Sequence, residues 1–411
     1  MVEAFKDIII QIATPYSKEG TGFLLPQHGI IVTNEHIVRD NREVIIESAL
    51  FSRQLTEVIY LDQLYDIAFL KAPDIKKTIE FTPLDWNESV AIGEEVVAIG
   101  YPSGLEYSIT KGVVFKTKLE HAEIDYIIHD AALNHGNSGG PLVNKAGELV
   151  GINSFFAEND VSVGRALPIK YLVQSLQIFE QGQGRSAARC MACQNIIFEN
   201  DTDTKYCSNC GAYIVLPSFI PDYEPQGIAK TIEDIIQKVG YDTRISRRGV
   251  DHWEVQRGSA KIDITYHEDS GLIMGDAYLC LLPHSDIQSI FEYLLQQNLE
   301  VEGLTFSIKP NGKDIILSLL IFDRYLNRGF HYSMRLHFFN FLNDNVDCLD
   351  GAWLQSGARS VLTISANIWV DAGHAKVNTH TAQACVFATP HRPYCHLCPP
   401  HHPHCHLFHP H

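Results

Sequence analysis

Gly136-Asn137-Ser138-Gly139-Gly140-Pro141 is the stretch that decides how this 411-residue chain is interpreted. Glycines on both sides of Ser138 allow a tight turn and let backbone N–H groups approach a substrate carbonyl, as an oxyanion hole requires. A serine hydroxyl is a weak nucleophile at neutral pH, so it needs a base, and the base needs an orienting carboxylate. An ordinary glycine-rich turn would look the same in isolation, so the prediction of a nucleophile depends on finding those partners.

Both partners occur earlier in the chain. His36 lies in Thr33-Asn34-Glu35-His36-Ile37-Val38, just after a predicted strand, and Asp66 lies just before another predicted strand. Alone, His36 would be interpreted as a core histidine and Asp66 as a strand cap. Their order of histidine, aspartate and serine is one of the orders known for catalytic triads, and this favours catalysis.

The region around these residues has the pattern of an all-β domain. Short β-branched or apolar runs, separated by Gly, Pro, Asn and Asp, predict an antiparallel barrel or sandwich. The predicted strands cover residues 8–13, 22–25, 29–33, 44–48, 67–71, 95–100, 126–129, 141–143 and 149–154. A helix is expected over 171–181, and the first domain is expected to end near residue 178.

Over about residues 5–175 the chain resembles the trypsin-like serine proteases, most closely those of the HtrA type. Besides the serine and histidine motifs, the resemblance rests on Gly20-Thr21-Gly22-Phe23, Asp66-Ile67-Ala68-Phe69-Leu70-Lys71 and Asp130-Ala131-Ala132, all in the expected order. The resemblance implies an all-β double barrel with the site in the cleft between the two barrels.

The same resemblance implies a role for each residue. Ser138 would be the nucleophile, His36 the general base and then acid, and Asp66 the group that holds the imidazole tautomer. The backbone N–H groups of Gly136 and Ser138 would form the oxyanion hole. The activity implied is that of a serine endopeptidase acting on protein or peptide substrates through an acyl-enzyme, with no cofactor for catalysis.

Two residues depart from the family pattern. His135 stands where the family usually has proline, and Arg165 stands where it usually has an apolar aromatic residue. Both lie near the expected specificity pocket. Arg165 would bias that pocket toward an acidic or polar residue before the scissile bond.

Four cysteines follow the first domain as Cys190-x-x-Cys193 and Cys207-x-x-Cys210, and none precedes them. Each pair can present two thiolates to one tetrahedral zinc, so the segment 189–215 resembles a zinc ribbon, with zinc in a structural role. Two disulfides, free thiols, or a redox role for either pair are the alternatives. A first domain without cysteine suits a reducing compartment, so the predicted location is the cytoplasm.

The rest of the chain is predicted to form an α+β domain and a tail. Residues 222–350 alternate helices and strands and resemble the YbjN-like domain, which shares its fold with type III secretion chaperones; the resemblance implies a protein-binding or dimerising module. It rests on core patterns such as Trp253-Glu254-Val255 and Leu294-Leu295-Gln296-Gln297-Asn298. Residues 351–411 are rich in Cys, His and Pro and are predicted to be disordered, although such ligands could take up a metal.

Together these patterns predict a multidomain protein with a protease domain at 1–178, a linker at 179–188, the zinc ribbon at 189–215, the α+β domain at 222–350 and the tail. The net charge of −17 argues against nucleic acid as a partner, and no apolar run approaches the length of a membrane helix. A protein partner is expected for the α+β domain, and a homo-oligomer is compatible with the sequence. The alternative function is a catalytically silent scaffold that binds peptides or protein partners.

Overall fold

The computed structural model describes residues 5–17, 20–74, 84–101, 107–118, 124–133, 136–154, 164–202, 204–257, 260–282, 287–300, 304–309 and 313–326. They fall into two compact units. The first contains the described residues up to 256 together with 261–277 and 318–326, and the second contains residues 257, 260, 278–282, 287–300, 304–309 and 313–317.

Six strands and one short helix make the first barrel. They are β1 (Ile9–Ala13), β2 (Gly20–Leu25), β3 (Ile30–Thr33), helix α1 (Glu35–Val38), β4 (Glu43–Glu47), β5 (Gln54–Asp62) and β6 (Ile67–Lys71). The strands are antiparallel in the order β5-β4-β1-β2-β3-β6, and the pairing of β5 with β6 closes the ring. β-branched and aromatic residues favour such strands, and the rings of Phe23, Tyr60 and Phe69 are fully buried in the core.

Six further strands make the second barrel. They are β7 (Glu95–Gly100), β8 (Ser108–Lys116), β9 (Ile127–His129), β10 (Pro141–Asn144), β11 (Leu149–Ser154) and β12 (Gly164–Pro168). They form a closed ring in the order β10-β11-β12-β9-β8-β7. Its core is built from smaller side chains, including Val96, Ala98 and Val114. The predicted double barrel is therefore confirmed.

After the barrels, the chain continues with helix α2 (Ile169–Gln181), β13 (Ala187–Arg189), β14 (Ile196–Phe198), helix α3 (Gly227–Lys238), helix α4 (Thr243–Ser246), β15 (His252–Arg257), β16 (Ala260–His267) and β17 (Leu272–Leu281). Of these residues, all belong to the first unit except 257, 260 and 278–281. Strand β13 runs parallel to β5, with Ala187 opposite Tyr60, and β14 pairs with β13. The first barrel's sheet thus gains two strands from the segment that carries Cys190. Residues 179–188, predicted as a linker, include the end of α2 and the start of β13.

The second unit contains helix α5 (Ile287–Glu300), β18 (Leu304–Ile308) and residues 314–317 of β19 (Asp314–Phe322). The side chain of Asn298 on α5 donates to the carbonyl of Phe306 at 3.0 Å and accepts from its N–H at 2.6 Å. This pair of hydrogen bonds fixes the connection from the helix into β18.

Three strands of the double barrel, β5, β8 and β12, were absent from the sequence prediction. Strands β5 and β8 carry charged residues such as Glu57, Lys111 and Lys116 among their apolar ones, so the apolar run is interrupted. Residues 327–350 of the predicted α+β domain, the tail and His135 lie outside the described residues. Among the helices described, none has the length and apolar character needed to cross a membrane.

Candidate active site

His36 and Asp66 form a direct pair in the first barrel. Helix α1, which begins after β3, carries His36, and the turn before β6 carries Asp66. The Nδ1 atom of His36 lies 2.8 Å from Oδ2 and 3.0 Å from Oδ1 of Asp66, and the backbone N–H of His36 donates to Oδ1 at 3.0 Å. The carboxylate therefore favours the tautomer with the proton on Nδ1, which leaves Nε2 free to act as a base.

The backbone of Asp66 adopts an unusual conformation that its surroundings hold in place. Its φ of 54° lies in the left-handed region, which is sparsely populated by residues other than glycine. The side-chain amide of Asn34 donates to the Asp66 carbonyl at 2.9 Å, and the Ser154 hydroxyl lies 3.4 Å from Oδ2. Ser154 comes from the end of β11 in the second barrel, and no motif in the sequence marked it.

The environment of His36 favours its protonated form. Burial alone lowers the pKa of the imidazole, but the hydrogen bond and the charge of Asp66 outweigh it and raise the pKa above its ordinary value of 6.5. Glu35 raises the pKa further, and Arg39 opposes it. A base whose conjugate acid is stabilised by a fixed carboxylate is suited to take a proton from a hydroxyl.

The turn that contains Ser138 is held by backbone hydrogen bonds from both barrels. The N–H of Thr21 donates to the Ser138 carbonyl at 2.9 Å, and the N–H of Gly139 donates to the Asn153 carbonyl at 2.9 Å. Gly139 has φ of 83°, and a Cβ there would lie 2.1 Å from the Thr21 carbonyl oxygen and 3.1 Å from the backbone N of Asn34. The serine turn thus packs against the residue that precedes helix α1, the helix of His36.

Gly136, the other residue of the predicted oxyanion hole, is anchored through its carbonyl. The hydroxyl of Thr21 donates to the Gly136 carbonyl at 2.5 Å and accepts from the N–H of Tyr101 at 2.9 Å. Gly136 has φ of 98°, a conformation that glycine adopts without strain. Thr21 therefore connects the glycine-rich turn to β2 and to the residue that follows β7.

Of the two predicted pocket residues, Arg165 is described. It lies on β12 opposite Ile128 and is half-buried, with its guanidinium carbon 4.9 Å from the centre of the Tyr126 ring. On the same pair of strands, His129 lies fully buried opposite Gly164. Burial lowers the pKa of His129 to about 4, and within the described residues neither ring nitrogen has a hydrogen-bond partner.

The four predicted metal ligands come together. The sulfur atoms of Cys190, Cys193, Cys207 and Cys210 all lie within 4.8 Å of one another. Cys190 and Cys210 are separated by 3.6 Å between sulfurs, and Cys193 and Cys207 by 3.7 Å. A zinc–sulfur bond of about 2.3 Å implies about 3.8 Å between the sulfurs of a tetrahedral site, so the cluster fits zinc.

Each Cys-x-x-Cys pair closes in the same kind of turn. The N–H of Gln194 donates to the Cys190 carbonyl at 2.8 Å, and the N–H of Gly211 donates to the Cys207 carbonyl at 2.8 Å. Cys190 and Cys207 are buried in the hydrophobic cluster that includes the core of the first barrel. The cluster of thiols is therefore continuous with the packing of that barrel.

The family comparison covers most of the barrel region. Residues 20–152 match the family model described as "Trypsin-like peptidase domain". "Serine protease HTRA4" of Mus musculus is 34% identical over 180 residues, which are 42% of this chain and 36% of that protein. "Serine protease HTRA1" of Xenopus tropicalis is 30% identical over 275 residues, covering 60% of this chain and 59% of the relative.

A bacterial relative extends the comparison. "Probable periplasmic serine endoprotease DegP-like" of Pseudomonas putida (strain GB-1) is 38% identical over 138 residues, 33% of this chain and 28% of that protein. The chain thus spans less than two thirds of the length of each of these relatives. All three relatives are named as serine proteases or endoproteases, and the residues that match the family model include His36, Asp66 and Ser138.

Proposed function

We propose that the chain is a serine endopeptidase that hydrolyses peptide bonds of protein substrates with Ser138, His36 and Asp66. The observation that carries this proposal is the pair of hydrogen bonds from the backbone and the ring of His36 to one carboxylate, that of Asp66. This arrangement fixes both the position and the tautomer of the imidazole.

In the proposed reaction, Nε2 of His36 takes the proton of the Ser138 hydroxyl while its oxygen attacks the scissile carbonyl. The N–H groups of Gly136 and Ser138 stabilise the negative charge on the tetrahedral intermediate. His36 then donates its proton to the leaving amine, and the acyl chain stays on Ser138. A water molecule, deprotonated by His36, releases the acid and restores the enzyme.

The test is cleavage of an unfolded, fluorescently labelled protein by purified wild type, Ser138→Ala and His36→Ala. Each single change is expected to lower kcat by about 10⁴-fold or more, because the triad acts as a unit. Ser89→Ala is the matched control, since Ser89 is exposed on the loop before β7 and should leave the rate unchanged. Equal cleavage by wild type and Ser138→Ala would refute the proposal.

The scaffold hypothesis makes the opposite prediction. If the barrels only bind peptides, wild type and Ser138→Ala would bind the unfolded protein equally and neither would cleave it. The hydrogen bonds between His36 and Asp66 favour the enzyme.

We also propose that the cysteine cluster holds one zinc ion in a structural role. The fit rests on the sulfur separations of 3.6 and 3.7 Å. Metal analysis of the purified protein should give about one zinc per chain, lost in Cys190→Ser and retained in Cys280→Ser, because Cys280 lies on β17 outside the cluster. Zinc retained at full occupancy in Cys190→Ser would contradict the assignment.

We also propose that Arg165 contributes to substrate specificity. A guanidinium on β12 would favour an acidic or polar residue before the scissile bond, by charge and by hydrogen bonding. Cleavage of a peptide library by wild type and Arg165→Leu tests this. The wild type should prefer acidic and polar residues there, and the variant should lose that preference; small aliphatic residues alone in both would refute it.

A further inference from the structure

A buried arginine lies between the cysteine cluster and the turn that carries Asp66. Arg189 is the last residue of β13 and directly precedes Cys190. It is 8% exposed. Because β13 pairs with the end of β5, the arginine side chain reaches the first barrel within one strand spacing.

On one side, Arg189 contacts the turn of the first cysteine pair. Its Nη1 donates to the carbonyl of Gln194 at 2.8 Å. The N–H of the same Gln194 closes the turn on the Cys190 carbonyl at 2.8 Å. The geometry of this turn therefore determines the position of the Gln194 carbonyl, and this carbonyl accepts the hydrogen bond from the Arg189 guanidinium.

On its other side, Arg189 contacts two groups of the barrel region. Its Nε donates to Oδ2 of Asp62 at 2.7 Å, and its Nη2 donates to the Ser175 hydroxyl of α2 at 3.2 Å. Asp62 is fully buried and also accepts from the hydroxyl of Tyr60 at 2.8 Å. A buried carboxylate in this position depends on its cation, because an uncompensated buried charge is strongly unfavourable.

From Asp62 the contacts continue to the residue before Asp66. Oδ1 of Asp62 accepts the backbone N–H of Tyr65 at 3.1 Å, and the guanidinium carbon of Arg189 lies 4.6 Å from the centre of the Tyr65 ring. Arg189 and Asp62 thus hold both the backbone and the ring of Tyr65. The next residue, Asp66, has the left-handed φ of 54°, which persists only where the surroundings enforce it.

We propose that Arg189 is a positioning residue for Asp66, and that it makes the His36–Asp66 pair sensitive to the state of the four-cysteine cluster. This inference rests on the proposed protease function. When the cluster is loaded, the turn at Gln194 holds the guanidinium on Asp62 and Tyr65. When the cluster is emptied, that turn is released, and Asp66 loses part of the framework that presents it to His36.

The first test measures the pKa of His36 directly and does not require proteolytic activity. In the Ser138→Ala background, the pKa of His36 is measured by NMR of histidine-labelled protein, with the signal assigned by its loss in His36→Gln. Arg189→Met should lower this pKa toward 6.5 or below, because the raising effect of Asp66 is weakened. Removal of the metal from the parent protein by a chelator should shift it in the same direction.

The control and the rescue separate positioning from stability. Arg185→Met removes an exposed arginine of the same segment, one that pairs with Asp201, and should leave the His36 titration unchanged. Arg189→Lys keeps the charge beside Asp62 and should restore the titration in part, even if Arg189→Met folds poorly. An unchanged His36 pKa in folded Arg189 variants, or after metal removal, would overturn the inference.

The kinetic test uses the protein with Ser138 intact. Arg189→Lys should lower kcat by about tenfold or more with little change in KM, because a small displacement of a catalytic group affects the chemical step more than binding. If the wild type fails to cleave, the proposed function fails, while the NMR titration still tests the arginine. If the wild type cleaves and Arg189→Lys matches it in kcat and in His36 pKa, only the positioning inference fails.

Discussion

His129 should make the protein lose stability in mild acid, by an amount that the structure allows us to work out. Its ring is fully buried on β9, and burial lowers its pKa from 6.5 to about 4. The nearby Asp130 opposes this shift without overcoming it. In the unfolded chain the imidazole takes up a proton near pH 6.5, whereas the folded protein resists protonation until about pH 4.

The stability that this group contributes is therefore fully present above pH 6.5 and is lost as the pH falls from 6.5 through about 4. A shift of this size corresponds to about 3 kcal/mol at 1.36 kcal/mol for each pKa unit. Leucine has a similar volume and no proton to gain. Replacing His129 by leucine should remove this part of the acid sensitivity and should not destabilise the protein at pH 7, because no hydrogen bond within the described residues is lost.

The assay is urea unfolding at pH 7 and at pH 4, in the Ser138→Ala background to prevent autolysis, with and without His129→Leu. The parent should lose about 3 kcal/mol more than the variant between the two pH values. Other acid-sensitive groups, including the cysteine cluster, are common to both proteins and cancel in the difference. His267→Gln, at an exposed position on β16, should behave like the parent. An equal loss in the parent and in His129→Leu would refute the reasoning.

Three other predictions follow from the same structure. Asp66→Asn should lower kcat by about 10⁴-fold, because an amide N–H facing Nδ1 favours the wrong tautomer of His36; a loss below about tenfold in steady-state kinetics would contradict this. Glu254→Gln should cost about 3 kcal/mol in urea unfolding at pH 7, because the charges of Arg248, Arg53 and Lys261 stabilise the Glu254 carboxylate and lower its pKa to about 2 despite its burial; an unchanged midpoint would refute it. Its contribution should persist above pH 4.5 and fade as the pH falls through about 2. Cys190→Ser should expose the first barrel's hydrophobic cluster to a dye such as ANS, and no change in dye binding would count against a structural metal.

The sequence was most informative where a local motif imposes its own geometry. The glycines around Ser138 predicted a turn that only glycine can make, and Gly139 does lie where a Cβ would meet the backbone of Thr21. The spacing of the cysteine pairs likewise predicted a cluster, and the four sulfurs do meet. In both cases a short segment with its own turn determines the local geometry, around Ser138 in the first case and within each Cys-x-x-Cys pair in the second.

The sequence was uninformative where a long-range contact involves residues that belong to no motif. Ser154 reaches Asp66 from a strand 88 residues later, and Arg189 reaches Asp62 from 127 residues away. Serine and arginine are common residues, so neither carries a local pattern, and only the pairing of strands brings them to their partners. The YbjN-like assignment, the protein partner and the cytoplasmic location stay predictions, because they rest on composition and core pattern.

The most direct test of the central claim is the site of covalent labelling by a fluorophosphonate. The wild type should gain the mass of one adduct, and peptide mapping should place it on Ser138, because the proposal assigns activation of that hydroxyl to His36. Labelling should disappear in His36→Ala although Ser138 is still present. A wild-type protein that is folded and metal-loaded but takes up no adduct, or an adduct on another serine, would contradict the account.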